Sequence, residues 1–156
     1  MIEKIISGGQ TGVDRAALDA ALGFGIPCGG WCPRGRRAED GTIPARYPLI
    51  ETERAEYEMR TRRNVRDADA TLILSVGAPE GGTELTRAFA EALGRPVRVV
   101  DLGADPEPEA VQAWLRRHRV RVLNVAGPRA SKHPGVYARA RRFLERVLAS
   151  QPARGA

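Results

Sequence analysis

Short apolar segments rich in β-branched residues alternate along the chain with longer segments of helical periodicity. The apolar segments lie at residues 4–7, 26–29, 70–76, 97–102 and 120–125, and helices are predicted at 13–22, 53–67, 86–93, 109–118 and 134–148. This alternation is typical of a mostly parallel sheet covered by helices on both faces. It predicts a single α/β domain, a three-layer Rossmann-like fold, over residues 1–149, with 150–156 as a flexible C-terminal tail. Helix caps or helix entries are predicted at Thr52, at Thr83 and at either Ser131 or His133.

A glycine-rich turn follows the first predicted strand and leads into an alanine-rich helix. Such a turn can bind an anion, because its backbone approaches a ligand closely and the first N–H groups of the helix point outward. The dinucleotide fingerprint is not met, since Ser7 stands at its first glycine, and Asp14-Arg15 follows where a P-loop would have lysine. A phosphate-like ligand and a plain tight turn therefore both stay open. The backbone donors of an anion site would come from Gly9, Gln10, Thr11 and Gly12.

Glycine-rich loops follow four of the predicted strands, at residues 8–15, 29–37, 77–84 and 126–132. Ligands of open α/β sheets bind outside the carboxyl ends of the strands, so these loops are expected to converge there. Arg15, Arg34, Arg129 and Lys132 would supply positive charge. The pattern favours an anionic small-molecule ligand.

Two further segments point toward the same cleft. Residues 29–48 contain four glycines and three prolines, and Trp31, Ile43 and Tyr47 could anchor them as an ordered loop that covers a ligand. The predicted helix at 53–67 carries Tyr57, Arg60, Thr61 and Asn64 at spacings that share one face. This face either lines the cleft or is simply solvated.

The composition of the chain bears on which classes of partner it could bind. Basic residues exceed acidic ones by six, and all basic residues except Lys4 and Lys132 are arginine, yet aromatic residues make up only 5%. A nucleic-acid partner is therefore not favoured. The chain begins with a strand instead of a basic and apolar leader, and it lacks an apolar stretch long enough to cross a bilayer, so a cytoplasmic protein without membrane contact is expected.

The two cysteines do not predict a metal site. Cys28 and Cys32 are four residues apart, but the two histidines, His118 and His133, are not spaced as ligands. Free thiols and no protein-bound metal are expected.

Five motifs carry a resemblance to a known family. They read GGQTGVDRAALDAA, GGWCPRGRRAEDGTIP, YEMRTRRNVRDADATLIL, GGTELT and NVAGPRASKHPGVY, in this order along most of the chain. The sequence resembles the putative molybdenum carrier family, which is related to lysine-decarboxylase-like proteins and cytokinin-activating phosphoribohydrolases. The resemblance implies a binding protein for a phosphorylated small molecule, with molybdenum cofactor as the ligand; a nucleotide is the other ligand considered.

Comparison with the phosphoribohydrolases leaves two other functions open, a hydrolase and a nucleotide-sensing module. Arg60 stands at the offset of their catalytic arginine, but Thr86 occupies the position of their catalytic glutamate. Hydrolysis of an N-glycosidic bond needs a carboxylate, so no catalytic residue is assigned. The alternatives are a nucleotide or nucleotide-sugar hydrolase, with Arg60 and either Asp14 or Glu84 as its polar pair, and a nucleotide-sensing module.

The same comparison predicts the topology. The last strand, its loop and the following helix, residues 122–137, resemble the first such unit of the enzymes, so the chain looks circularly permuted. A five-stranded parallel sheet in the order 2-1-5-3-4 follows. The resemblance also implies a homo-oligomer, a dimer or tetramer.

The candidate site combines these segments. We expect Arg129 and Lys132 to matter more for the anion than the loop residues Arg36 and Arg37, because a strand end fixes geometry. The predicted ligand-binding residues are Gly8, Gly9, Gln10, Thr11, Gly12, Asp14, Arg15, Arg34, Tyr57, Arg60, Asn64, Gly81, Gly82, Thr83, Glu84, Gly127, Arg129, Ser131 and Lys132.

Overall fold

The computed structural model describes residues 1–149, so the predicted flexible tail at 150–156 lies outside the described residues. In chain order the elements are β1 (Lys4–Ile6), α1 (Val13–Gly23), β2 (Cys28–Gly29), β3 (Trp31–Cys32), β4 (Arg37–Ala38), β5 (Gly41–Thr42), β6 (Ile50–Glu51), α2 (Tyr57–Asp67), β7 (Ala70–Ser75), α3 (Gly81–Ala92), β8 (Val97–Asp101), α4 (Pro108–Arg117), β9 (Val122–Ala126) and α5 (Val136–Leu148), with a 3-10 turn at Leu102–Ala104.

Five strands form one parallel sheet in the order β2-β1-β9-β7-β8. The last strand of the chain lies in the middle, where Leu123 pairs with Ile5 on one side and Ala70 on the other. Helices cover both faces of the sheet. The predicted Rossmann-like architecture and the predicted strand order 2-1-5-3-4 are therefore confirmed.

The two faces of the sheet differ in polarity. On one face, Ile5, Leu72 and Leu123 belong to the main apolar core with residues of α1, α4 and α5. On the other face, where α2 and α3 lie, β7 and β9 bury Thr71 and Asn124. Buried parallel strands are usually apolar on both sides. The buried polar side chains therefore distinguish the α2 and α3 side of the sheet from the apolar core on the other side.

None of the three positions predicted as helix caps or helix entries is a cap, although Thr83 lies at the entry to α3. Thr52 is buried and its hydroxyl donates to Arg54 O in a tight turn, so α2 begins after Glu56. Helix α3 begins at Gly81, five residues earlier than predicted, which puts Thr83 inside its first turn. Glycine has a low helix propensity, and this hid the true start. The cap of α5 is Gly135, with a φ of 86° that suits glycine, instead of Ser131 or His133.

The segment between β2 and α2 is ordered, as predicted. Ile43, Tyr47 and Leu49 pack with Cys32 and Leu18 in a second apolar cluster. Its central connector is Arg36, whose guanidinium donates to four main-chain carbonyls, those of Ile43, Pro44, Tyr47 and Leu49. Arg36 therefore holds the loop together and is not the freely moving surface charge that the sequence predicted.

The structure also bears on the state of the two cysteines and on membrane spans. Cys28 is half-buried and Cys32 is buried, both are free thiols, and burial raises the pKa of each. Within residues 1–149, none of the helices is long and apolar enough to cross a membrane.

Candidate functional site

A cleft of about 270 Å³ opens at the carboxyl ends of β1, β7 and β9, between α2 and α3. Its position agrees with the rule for ligand sites in open α/β sheets. Of the predicted ligand-binding residues, the cleft brings together Gly8, Gln10, Asp14, Tyr57, Arg60, Asn64, Gly82, Thr83, Gly127, Arg129 and Lys132. The polar face of α2 therefore faces the cleft, including Thr61.

Other predicted residues do not line the cleft. These are Gly9, Thr11, Gly12, Arg15, Arg34, Gly81, Glu84 and Ser131. The ordered segment at residues 29–48 does not line it either, and its role as a cover over the ligand stays a prediction. That segment instead supports α2, because the Asn64 side chain bonds both the N–H and the carbonyl of Trp31.

Several backbone N–H groups of the turn before α1 donate hydrogen bonds to acceptors within the chain. The N–H of Gln10 donates to Asp14 Oδ2 at 3.1 Å, and the N–H of Thr11 donates to the Gln10 side chain at 3.0 Å. The N–H of Val13 donates to Pro128 O at 3.3 Å. A helix N-terminus attracts negative charge, and here the Asp14 carboxylate supplies it. Of the two alternatives for this segment, a phosphate-binding turn and a plain tight turn, the structure thus favours the plain tight turn.

The predicted charged residues that lie outside the cleft contact other residues of the chain. Arg15 forms a bidentate ion pair with Asp40, at 2.5 and 2.7 Å, and also donates to Gly9 O. Arg34 lies 3.5 Å from Glu53 O, and Glu84 pairs with Arg87 on the next turn of α3. These contacts engage each side chain away from the cleft.

An ion pair lies at the inner end of the cleft. Arg60 Nη1 is 3.0 Å from Asp14 Oδ2, and the two side chains are 15% and 5% exposed. Burial raises the pKa of the Asp14 carboxyl, while the Arg60 charge and the hydrogen bonds from Arg60, Gln10 and Ser7 act to lower it. Asp14 is thus a carboxyl held by a fixed partner, a common arrangement in functional clefts and in structural ion pairs alike.

Two residues of the cleft carry a buried polar atom without a hydrogen-bond partner among residues 1–149. Three buried side-chain nitrogen or oxygen atoms in residues 1–149 lack a hydrogen-bond partner, and two of them, Arg60 Nε and Asn124 Oδ1, belong to cleft residues. Asn124 is 2% exposed, and its amide nitrogen lies 3.3 Å from Thr71 Oγ1. Sequence reasoning missed Asn124, although a lone amide inside the apolar strand VLNVA was a signal for it.

The N-terminus of α3 forms one wall. The N–H groups of Thr83 and Glu84 both bond Glu80 O, whereas within residues 1–149 no acceptor is found for the N–H groups of Gly81 and Gly82, as expected in a first turn. Lys132 reaches this point, because a β-carbon on Gly81 would lie 3.3 Å from Lys132 Nζ. In the part of the chain that the structure describes, Lys132 has no carboxylate partner. An ammonium group and the positive end of a helix thus face each other.

Arg129 lies at the rim and is partly neutralised. Its Nε is 3.3 Å from Glu39 Oε2, and Glu39 also accepts hydrogen bonds from the Thr11 hydroxyl and from the N–H and hydroxyl of Ser131. The hydrogen bonds of Ser131 and Thr11 lower the pKa of Glu39. Glu39 therefore fastens the β4–β5 hairpin to the loop that carries Arg129.

The cleft includes further residues that the candidate list omitted. Thr86, at the position of the catalytic glutamate in the phosphoribohydrolases, lines the cleft, and its hydroxyl donates to Gly82 O at 3.0 Å. Ser75 and His133 also line it, and Glu58 and Glu80 lie exposed at its mouth. Among residues 1–149, no three His, Cys, Asp or Glu side chains are grouped to hold a metal ion.

Comparison with known proteins shows the family. Residues 5–148 match the model of the circularly permutated YpsA SLOG family. The chain belongs to this family. A solved structure similar to it, named "Putative molybdenum carrier protein" from Syntrophus aciditrophicus SB, is 47% identical, with a TM-score of 0.90 over 94% of this chain and 95% of that chain. A comparison with curated proteins found no match.

The family description agrees with the topology. A circularly permutated SLOG chain is one whose strands meet the same neighbours in a different chain order, and in this member the C-terminal β9 occupies the centre of the sheet. The resemblance to molybdenum carrier proteins in the sequence is confirmed as a family relationship.

Proposed function

We propose that the cleft binds a phosphorylated small molecule and that the phosphate lies between Lys132 and the N-terminus of α3. The observation that carries this proposal is the position of Lys132 Nζ beside Gly81, the first residue of that helix. Two positive groups that face each other repel, and an anion between them would stabilise both. The N–H group of Gly82, which lines the cleft and has no acceptor among residues 1–149, would be a hydrogen-bond donor for its oxygens.

The other charges of the cleft fit this arrangement. Arg129 is a second cation at the rim, but it shares its charge with Glu39. Glu58 and Glu80 are exposed at the mouth, where water screens their charge. Lys132 is therefore the cation that we expect to contribute most to phosphate binding.

The cargo proposed from the relatives is molybdenum cofactor. The Syntrophus aciditrophicus protein bears the name of a molybdenum carrier, and this cofactor carries a phosphate, as a nucleotide does. Both would use the same phosphate position. A carrier must bind its cargo without altering it, which agrees with a cleft whose inner carboxyl, Asp14, is held by Arg60.

The hydrolase remains the second candidate, and the buried Asp14 carboxyl beside Arg60 is the observation in its favour. Against it, Thr86 replaces the expected carboxylate and Glu84 pairs with Arg87. We therefore favour binding over hydrolysis. A homo-oligomer, which the resemblance implies, stays a prediction that light scattering at micromolar concentration would test.

Native mass spectrometry of protein purified without added ligand tests the proposed function. We expect a bound species whose released small molecule contains phosphorus. A bound small molecule without phosphorus would contradict the proposal.

A further inference from the structure

We propose that Thr11 and Glu39, neither of which lines the cleft, are positioning residues that place Lys132 for the phosphate. This inference rests on the proposed function and adds to it how the position of the cation is maintained. Neither the family description nor the name of the solved relative assigns a role to these two residues.

The first support is the way in which residues 129–132 are held. They form a tight turn, closed by a hydrogen bond of 3.1 Å from the N–H of its last residue to the carbonyl of its first. Such a turn leaves the N–H groups of its two central residues free. Here the N–H of Ala130 donates to Thr11 Oγ1 and the N–H of Ser131 donates to Glu39 Oε1, each at 3.1 Å. These two side chains therefore fix the orientation of the turn.

The second support is that the two acceptors are joined to each other. The Thr11 hydroxyl donates to the Glu39 carboxylate, so both contacts with the turn belong to one network. The Ser131 hydroxyl adds a hydrogen bond of 2.5 Å to the same carboxylate. The N–H of Glu39 donates to Gln10 Oε1 at 2.9 Å, which attaches the tip of the β4–β5 hairpin to the turn before α1. A connected network of satisfied polar groups rigidifies the segment that it holds.

The third support is a close backbone contact. A β-carbon on Gly12 would lie 2.4 Å from Pro128 O and 2.9 Å from Ala130 N, and the φ of Gly12 is 79°. Glycine at this position therefore lets the turn before α1 lie directly against the loop after β9. Lys132 is the last residue of that fixed loop, so its side chain extends toward Gly81 from a backbone that is held on several sides.

Glu39 has two effects of opposite sign on an anion in the cleft. Its negative charge by itself repels a phosphate, so removal of the charge would tighten binding. Its hydrogen bonds hold the turn that carries Lys132, so their loss would weaken binding, because a loosely held cation must be ordered when the phosphate binds. Arg129 Nε lies 3.3 Å from the carboxylate and neutralises part of the repulsion. We therefore expect the effect of the hydrogen bonds to be the larger one.

Titration calorimetry with ribose 5-phosphate, at fixed ionic strength, tests the role of both residues. Thr11→Val should weaken binding about fivefold, because it removes the hydroxyl that bonds the turn, whereas Thr11→Ser keeps the hydroxyl and should bind within about twofold of the parent. Glu39→Gln should weaken binding about threefold, although it removes a negative charge beside Arg129.

Asp40→Asn is the matched control for Glu39→Gln. Asp40 is the next residue of the same hairpin and pairs with Arg15, and within residues 1–149 its side chain makes no hydrogen bond to the 129–132 turn. The variant removes the same charge and leaves the turn in place, so its affinity should equal that of the parent or be slightly higher. Circular dichroism checks that each variant is folded, and Glu39→Gln decides alone if Thr11→Val is unfolded.

A double variant shows whether Glu39 acts through Lys132. In a Lys132→Gln background, Glu39→Gln should no longer weaken binding, because the cation that it positions is absent. A general loosening of the fold would lower the affinity in either background. Additive losses in the double variant would therefore overturn the inference.

The inference is also overturned if folded Thr11→Val or Glu39→Gln binds ribose 5-phosphate as tightly as the parent while Lys132→Gln binds it more weakly. Failure of the proposed function looks different. In that case the parent does not bind ribose 5-phosphate, or Lys132→Gln leaves its affinity unchanged, and the positioning role of Thr11 and Glu39 is then wrong as well.

Discussion

The Arg60 guanidinium occupies the space that a side chain at Gly8 would fill, since a β-carbon there would lie 1.5 Å from Arg60 Nη1. Gly8→Ala should therefore displace Arg60 and leave the Asp14 carboxylate buried without its partner. We expect a loss of about 3 kcal/mol in the free energy of unfolding, the range seen when one member of a buried ion pair is removed. Urea unfolding of the parent and the variant measures it.

Gly23→Ala is the control for this substitution. Gly23 lies at the end of α1, and a β-carbon there meets no atom within 4 Å. Alanine in a helix should keep or slightly raise the stability. Equal stability of the Gly8→Ala protein and the parent would contradict the close packing of Arg60 on Gly8.

Arg36 and Arg37 are neighbours with different roles. Arg36 donates to four main-chain carbonyls, whereas Arg37 is exposed on β4. Arg36→Ala should lower the free energy of unfolding by about 2 to 4 kcal/mol, because charged hydrogen bonds to half-buried carbonyls are lost. Arg37→Ala should change it by less than about 0.5 kcal/mol. Chemical denaturation of both variants decides the matter, and equal effects would contradict the role of Arg36.

Glu39 should make stability depend on pH. Its pKa lies below the ordinary value of 4.5, mainly because the Ser131 and Thr11 hydroxyls donate to its carboxylate. A lowered folded pKa gives stability that is fully present above the unfolded pKa and is lost as the pH falls through the folded pKa. The parent should therefore be more stable than Glu39→Gln at pH 7, and the difference should shrink below about pH 4. Thermal unfolding from pH 7 to pH 3 measures it, and a difference that grows with acidity would contradict this contact.

Hydrolysis of adenosine monophosphate should be negligible. An arginine cannot act as a base at neutral pH, and the Thr86 hydroxyl is bonded to Gly82 O at the place of the missing glutamate. Chromatography of released adenine gives the rate. Turnover by the parent that disappears in Arg60→Ala would show that Asp14 or Glu84 acts as the missing carboxylate and that the binding proposal is wrong.

The architecture could be predicted from the sequence because two signals agreed. Alternating apolar and helical segments indicated a parallel α/β sheet, and the resemblance of residues 122–137 to the first unit of related enzymes placed β9 at the centre. Helix starts were less accurate. Gly81 and Gly82 looked like loop residues because glycine has a low helix propensity, but they form the first turn of α3.

Individual site residues were harder to predict, because each depends on which partners the fold brings within hydrogen-bond distance. The N–H groups of Gln10 and Thr11 were predicted to bind a ligand, but the side chains of Asp14 and Gln10 accept them. Arg36 looked like a loop charge until its carbonyl partners were known. Asn124 was overlooked because apolar periodicity indicates which face of a strand is buried but not that this face borders a cleft.

We propose above all that a phosphate binds between Lys132 and the N-terminus of α3. Titration calorimetry with ribose 5-phosphate, at fixed ionic strength, compares the parent with Lys132→Gln and with Arg37→Gln, a variant that removes the same charge outside the cleft. We expect Lys132→Gln to weaken binding by about tenfold, equivalent to about 1.4 kcal/mol, and Arg37→Gln to change it less than twofold. Equal affinities of the Lys132→Gln and Arg37→Gln proteins would contradict it.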